Sequence, residues 1–392
     1  MKHILRCHEI VKTDFVRGEG CYLYDAHDQR YLDFEAGIWC TALGHNHWRI
    51  NQVMQSQMQK IIHLGTRYPN VLAEEAATKV LDVTTLPNSK CTFLSSGSEA
   101  VEFGVQITRR MTERPLLLTF SDSYLAAYGS AGKKNPDEWY CLDWQACATC
   151  AHADECDPQC RHLQEIPFEQ IGGLVFEPGN AHGRVQLPPK QLVQTLVSLV
   201  RQQHGLVVVN EITTGMGRTG AWFGFQHYDL QPDVVAVGKG LGNGYPVSAV
   251  AMTGVIADRL ENSAFRYVQS HQNDALGCAI AREVITIFQE DGLVERSKRL
   301  GTYFLDELKK LGERHHLIKE VRGRGLMIVL EIEGNDEPFS VTSIYHALLT
   351  RGFLVGCTPT ANLLRFYPAL VMDQEDIAQL LENLDQILED LQ

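Results

Sequence analysis

Val234-Val235-Ala236-Val237-Gly238-Lys239-Gly240-Leu241-Gly242-Asn243-Gly244-Tyr245-Pro246 joins an apolar run to a glycine-dense loop that carries one lysine. Four apolar residues bounded by glycine predict a strand buried on both faces. A lysine in a loop is ordinarily a solvated charge. This one follows a buried strand and has little side-chain bulk beside it, a setting that suits an amine which must lose its proton before it reacts.

The same pattern recurs upstream. Lys90–Leu94 predicts a strand that leads through Ser95-Ser96-Gly97-Ser98-Glu99-Ala100 into a helix over Gly97–Arg110. Small residues and hydroxyls at a helix start make a phosphate site, or an ordinary capping box of Ser96 with Glu99. The strand Pro115–Phe120 is followed by Ser123-Tyr124, whose ring is suited to stacking on an aromatic cofactor or to plain packing. Gly173–Glu177, Leu206–Val209 (closed by Asn210) and Val247–Met252 are further strands, and Gln191–Arg201 a helix. Apolar strands separated by helices predict an α/β fold with a mostly parallel sheet covered on both faces. Ligands of such sheets lie beyond the carboxyl ends of the strands, where Ser96, Tyr124, Asn210 and Lys239 all fall. A cofactor held by its phosphate, stacked on a ring and joined to a lysine describes pyridoxal phosphate.

These elements place a large cofactor-binding domain over residues 50–285, with helical segments from Ile50 to Leu81 broken near Pro69 and a long helical region from Ala275 to Lys309. Residues 286–392 form a smaller α+β domain with strands Gly325–Glu331, Leu354-Val355 and Leu364–Tyr367 and helices Val341–Arg351 and Gln374–Glu389. The segment 1–49, with a hairpin of Cys21–Tyr24 and Gln29–Phe34, is expected to join it.

Acidic residues outnumber basic ones, 48 to 35, for a net charge of −13, which gives no support for nucleic-acid binding or a polybasic membrane anchor. No run approaches about 18 apolar residues, and Met1–Glu9 lacks the apolar stretch of a signal peptide. A cytoplasmic location is expected. The 11 cysteines agree with a reducing compartment. Four have the spacing Cys147-x2-Cys150-x5-Cys156-x3-Cys160, near Cys141 and His152, which fits a structural zinc or iron–sulfur site or a surface insertion with unpaired thiols. No catalytic metal is expected.

The ordered motifs Gly20–Asp25, Arg30–Phe34, Leu43–His47, Ser96–Ala100, Glu211–Gly220, Phe225–Tyr228, Pro232-Asp233 and the glycine run around Lys239 cover almost the whole chain. In them the sequence resembles the class III (ω-type) aminotransferases, pyridoxal-phosphate enzymes of fold type I. The resemblance implies that Lys239 is the Schiff-base lysine and moves the proton between substrate and cofactor. It implies that Gly97 and Ser98 bind the phosphate and that Tyr124 stacks on the pyridine ring. Ser270 aligns with a threonine that reaches the partner subunit's phosphate, which implies a homodimer with shared active sites. Arg365 matches the arginine that pairs with a substrate carboxylate, and Trp39 falls among the substrate-pocket residues.

Three positions depart from the family. Asn210 stands where an aspartate keeps the ring nitrogen protonated, and an amide cannot supply that ion pair. His182 stands where many members have a glutamate that pairs with the substrate arginine. Leu125-Ala126 replaces a His-Gly after the stacking aromatic. The expected reaction is transfer of an amino group from an amine or amino acid (an ω-amino acid or a diamine among them) to a 2-oxo acid such as pyruvate or 2-oxoglutarate. An amino-acid racemase or epimerase of the same fold, or a catalytically weak pyridoxal-phosphate-binding protein, are the alternatives that Asn210 keeps open.

Overall fold

The computed structural model describes residues 3–5, 7, 11, 13–150, 155–179, 183–334 and 339–391. Strands β1 (Phe15–Glu19), β2 (Tyr22–Asp25) and β3 (Arg30–Asp33) form an antiparallel meander. The Asp25 carboxylate accepts the N–H groups of His27 and Gln29 and so closes the β2–β3 turn. The large sheet follows: β4 (Lys90–Leu94), β5 (Leu116–Phe120), β6 (Trp139–Leu142), β7 (Ile171–Phe176), β8 (Leu206–Glu211), β9 (Val234–Val237) and β10 (Ser248–Met252). Their spatial order is β4-β10-β9-β8-β7-β5-β6, and β10 runs antiparallel to both its neighbours while the other pairs are parallel. A smaller sheet holds β11 (Ile318–Arg324) and β12 (Met327–Ile332), followed in the chain by β13 (Phe353–Leu354), β14 (Gly356–Thr358) and β15 (Leu363–Phe366). Its order is β11-β12-β15-β14, and β13 leaves it to pair in parallel with β3, which ties the two ends of the chain into one sheet.

Alternation along the valine-rich strands explains why the large sheet is covered twice. Val207, Val209, Val235 and Val237 enter one core, while Val208, Val234 and Ala236 enter the other. The helix Gly97–Thr112 packs on the second face, and Lys190–Gln202 lies on the first. Each buried valine contributes roughly 1.5–3 kcal/mol relative to an exposed one. Gly104 brings the first helix close, since a Cβ there would lie 2.9 Å from Val208 Cγ1.

The fold is the α/β class expected, with local differences. The helical region after Ala275 is two helices, Ala275–Glu290 and Leu293–Arg314, parted at Gly292, whose φ of 60° turns the chain. Among the described residues the edge strand β6 pairs only with β5, and β11 exposes Lys319 and Glu320. Charged residues break the apolar run of β11, and β6 is a four-residue edge with Cys141 exposed.

Arg218 joins the large sheet to the smaller one. It is 2% exposed, and Nη1 donates to the carbonyls of Leu326 (3.1 Å) and Pro368. Its own carbonyl accepts from Leu326 N–H and Ser297 Oγ. Beside this joint Gly301 packs directly on the Gly325 backbone, so a Cβ at 301 would overlap main-chain atoms. Gly301→Ala is therefore expected to destabilise the fold by about 1–3 kcal/mol, read as an earlier urea midpoint.

Candidate active site

The carboxyl ends of β4, β5, β7, β8 and β9 open on one cavity, whose lining includes Gly97, Ser98, Tyr124, Glu177, Asn210 and Lys239. Five of these six are residues that the sequence singled out.

At the β4 end, the helix Gly97–Thr112 starts with a complete capping box. The Ser96 hydroxyl accepts Glu99 N–H, and the Glu99 carboxylate accepts the N–H groups of Ser95 and Ser96 at 2.9 Å each. That arrangement leaves the first-turn amides of Gly97 and Ser98 without an intrahelical acceptor, beside a helix dipole that favours an anion. The capping-box reading of the motif is present, and Gly97 and Ser98 of the same first turn line the cavity. Ser98 Oγ accepts Ala127 N–H at 2.9 Å and keeps its own proton to donate. A Cβ at Gly97 would lie 2.7 Å from Ile212 Cγ2, so only glycine fits there.

Asn210 is 2% exposed, with both ends of its amide engaged. Nδ2 donates to the Tyr124 carbonyl (3.1 Å) and Oδ1 accepts Ile212 N–H (3.2 Å). An aspartate in the same place would turn an oxygen toward the Tyr124 carbonyl, so the local hydrogen bonds suit the amide. The Tyr124 N–H in turn donates to Glu177 Oε2 at 2.8 Å. Glu177 is buried in the cavity wall, and its role was not apparent from the sequence.

Lys239 begins the turn Lys239–Gly242 with a left-handed φ of 45°. Its Nζ lies 4.5 Å from the centroid of the Trp39 ring, within cation–π range. Burial pulls the Lys239 ammonium below its ordinary pKa, with Cys40 and Glu177 acting in the opposite sense. Trp39 stands on a strained support, since Ala36, Gly37, Ile38 and Trp39 all have positive φ, between 46° and 69°. Asn243 holds this support against the lysine loop by accepting Leu43 N–H and donating to the Gly44 carbonyl.

Behind Trp39 lies Tyr367, with ring centroids 4.4 Å apart. Trp39 Nε1, Tyr367 OH and Arg365 Nε are buried with no hydrogen-bond partner among the described residues. Arg365, on β15, points its Nη2 to Glu35 Oε1 at 3.5 Å. Burial raises the Glu35 pKa, and Arg365 opposes that rise. His182, expected near this arginine, lies outside the described residues. The neighbouring Gly183 packs over Arg365, with a Cβ there falling 2.9 Å from Cδ.

Ser270 is exposed and does not line the cavity of its own chain. Cys147, Cys150, Cys156 and Cys160 form no disulfide among the described residues and lie away from this cavity, and His152 lies outside the described residues. Glu35 and Tyr367 were missed although they adjoin the Arg30–Phe34 motif and the Arg365 strand, because only the fold brings them to Arg365 and Trp39.

The cavity suits pyridoxal phosphate by its donor set. The first-turn amides and the Ser98 hydroxyl would meet a phosphate, Tyr124 and Ile212 would offer an aromatic and an aliphatic surface for a flat ring, and a buried amine stands at the Lys239 position.

The model of the family described as aminotransferase class-III matches residues 6–388. The acetylornithine aminotransferase of Aquifex aeolicus is 27% identical, over 99% of this chain and 100% of its own length. The leucine/methionine racemase of Thermococcus litoralis is also 27% identical, over 96% of this chain and 90% of its own. A Bacillus anthracis aminotransferase structure superposes with a TM-score of 0.91 at 22% identity, covering 99% of this chain and 96% of its own. A strand-end cavity with a buried lysine and a family match spanning nearly every residue lead to one conclusion: the chain belongs to the class III aminotransferases and is a pyridoxal-phosphate-dependent aminotransferase.

Proposed function

We propose that the enzyme moves an amino group from an amino acid or ω-amine that carries a carboxylate to a 2-oxo acid, with Arg365 receiving the carboxylate. The observation that supports this most is Lys239 Nζ, buried and poised over Trp39 in the same cavity as the Gly97–Ser98 amides. When bound, pyridoxal phosphate supplies the electrophile for the donor's nitrogen and the sink for the electrons left on the α-carbon. Gly97 and Ser98 would hold its phosphate and Tyr124 would cover its ring. Asn210 would present a neutral group on the ring-nitrogen side. Lys239, its proton affinity lowered by burial, would take the proton from the donor α-carbon and pass it to the cofactor's C4′. Relatives named for acetylornithine, an N-acylated diamino acid, favour an amino-acid donor with a distal amine.

A homodimer in the cytoplasm is part of the same reading. Exposed Ser270 supports the dimer, as a hydroxyl available to a partner's phosphate, and no described helix is long and apolar enough to cross a membrane.

The Glu35–Arg365 pair predicts how tightly a carboxylate is held. Glu35 competes with a substrate carboxylate for the guanidinium. Glu35→Gln is therefore expected to lower KM for pyruvate and 2-oxoglutarate alike by roughly fivefold, about 1 kcal/mol for a partly exposed pair. Because burial holds the Glu35 pKa up, acidification neutralises it early, so the wild-type KM should fall toward that of the variant as pH falls while the variant stays flat. Equal KM values at all pH values in both proteins would remove Glu35 from carboxylate binding.

The deciding experiment adds a panel of amines to the holoenzyme without keto acid. Conversion of the long-wavelength cofactor absorbance to that of pyridoxamine phosphate establishes amino transfer and ranks donors. Exchange of the α-hydrogen with deuterated solvent, with the absorbance unchanged, would replace this reading with racemisation. The neutral Asn210 amide and the racemase relative are what give that second reading its standing.

A further inference from the structure

Away from the cavity, three side chains from separate parts of the chain converge. His63 comes from the segment after the helix Trp48–Met58, His271 from the segment after the helix Gly254–Glu261, and Asp274 precedes the helix Ala275–Glu290. One ligand atom of each lies within 4.8 Å of the others. His63 Nδ1 is 2.8 Å from Asp274 Oδ1, and His271 Nδ1 is 3.8 Å from Asp274 Oδ2. The two imidazole centroids are 4.8 Å apart.

Asp274 shows that this is more than a surface ion pair. It occupies the N-cap position of a sixteen-residue helix, where an aspartate side chain normally bonds the first-turn amides for about 1 kcal/mol. Here it makes no cap hydrogen bond and presents one oxygen to each histidine. Two imidazole nitrogens and a carboxylate oxygen thus converge on one point, the donor set with which a divalent cation is held by two neutral rings and a carboxylate.

The surroundings hold the donors in place. Asn273 Oδ1 accepts Phe93 N–H and Thr92 Oγ1, and the Asn273 carbonyl accepts from Asn70 Nδ2. His271 N–H donates to Gln269 Oε1, and Gln269 Nε2 reaches Ser95 Oγ. Asp274 is largely buried, whereas both histidines keep a solvent-facing side, which gives an ion an entry path.

We infer that His63, His271 and Asp274 form a binding site for a borderline divalent transition metal such as zinc or cobalt, with water completing the coordination. Two imidazoles and a carboxylate match the ligand preference of such ions rather than of magnesium or calcium. Ser270 lies next to a ligand, and Gln269 touches the strand-to-helix loop at Ser95, so the ion would stiffen the segment that borders the cofactor's phosphate end. The site itself does not depend on the aminotransferase reading.

The test is cobalt titration of the chelator-treated holoenzyme by calorimetry and visible spectroscopy. Wild type is expected to take up one equivalent with d–d bands and no sulfur charge-transfer band. A variant with Cys147, Cys150, Cys156 and Cys160 changed to serine should retain that equivalent. His63→Ala and Asp274→Asn should weaken it at least tenfold while their metal-free circular dichroism matches wild type. His271→Ala serves as the independent variant if either of these fails to fold. Absent binding, affinity unchanged in the histidine variants, or an equivalent lost with the four cysteines would each overturn the proposal.

Discussion

Lys239→Ala is expected to lower the rate of amino transfer by at least about 10³-fold and to remove the long-wavelength absorbance of the lysine-bound cofactor. Proton transfer by a positioned side chain is typically worth 10²–10⁴-fold, and Lys239 is the amine that the cavity presents. Its burial lowers the cost of shedding a proton, and the Trp39 ring 4.5 Å away holds Nζ in the cavity. The variant keeps Gly97, Ser98, Tyr124 and Asn210, so cofactor should still bind through phosphate and ring. Equilibrium dialysis with pyridoxal phosphate checks that retention, and a single-turnover assay with donor measures the rate. A small exogenous amine that restores part of the rate would show that the missing function is proton transfer. Wild-type turnover in Lys239→Ala would end the assignment.

Arg218→Met carries the largest expected loss of stability, about 3 kcal/mol. The guanidinium is 2% exposed and supplies hydrogen bonds to the Leu326 and Pro368 carbonyls. Methionine preserves most of the stem's packing but leaves two buried acceptors empty, each costing roughly 1–3 kcal/mol. Burial already pushes the guanidinium pKa down to about 10, and among the described residues no carboxylate forms an ion pair with it. The charge is thus stabilised by backbone carbonyls with help from Tyr367 and Cys40, and removing it also ends a desolvation cost, which keeps the net figure moderate. Urea denaturation followed by far-UV circular dichroism measures the change. An unmoved midpoint would mean that water reaches these carbonyls and that the joint between the sheets rests on apolar packing.

What the sequence disclosed follows from how far each contact spans. Gly97, Ser98, Asn210 and Lys239 were legible because a buried strand and the loop after it are consecutive in the chain. The parallel sheet then brings their carboxyl ends together. The Glu35–Arg365 pair joins residues near opposite ends of the chain, and no periodicity reports it. The left-handed turn under Trp39 was hidden for another reason. Gly37 suits positive φ, but Ala36, Ile38 and Trp39 ordinarily avoid it, so tertiary packing overrides the local preference there. Strand β11 escaped notice because Lys319, Glu320, Arg322 and Arg324 break its apolar run, and β6 is an edge strand of only four residues with exposed Cys141. The amide at 210 was legible as a residue, whereas its fit to the Tyr124 carbonyl emerged only from the geometry.

Strand order also dictates a schedule. Lys90–Leu94 is the first strand of the large sheet to leave the ribosome, yet its only sheet neighbour is Ser248–Met252, the last one made. At a synthesis rate of about 5–20 residues per second, the early strand waits on the order of ten seconds as an unpaired edge. The meander at Tyr22–Asp33 waits longer still for Phe353–Leu354. The loop at Ser95–Ser98 and the lysine loop therefore come together only when the large sheet closes. Capture of pyridoxal phosphate becomes a signal that the nascent chain has closed, and chaperone dependence should concentrate in the interval before residue 252 is free.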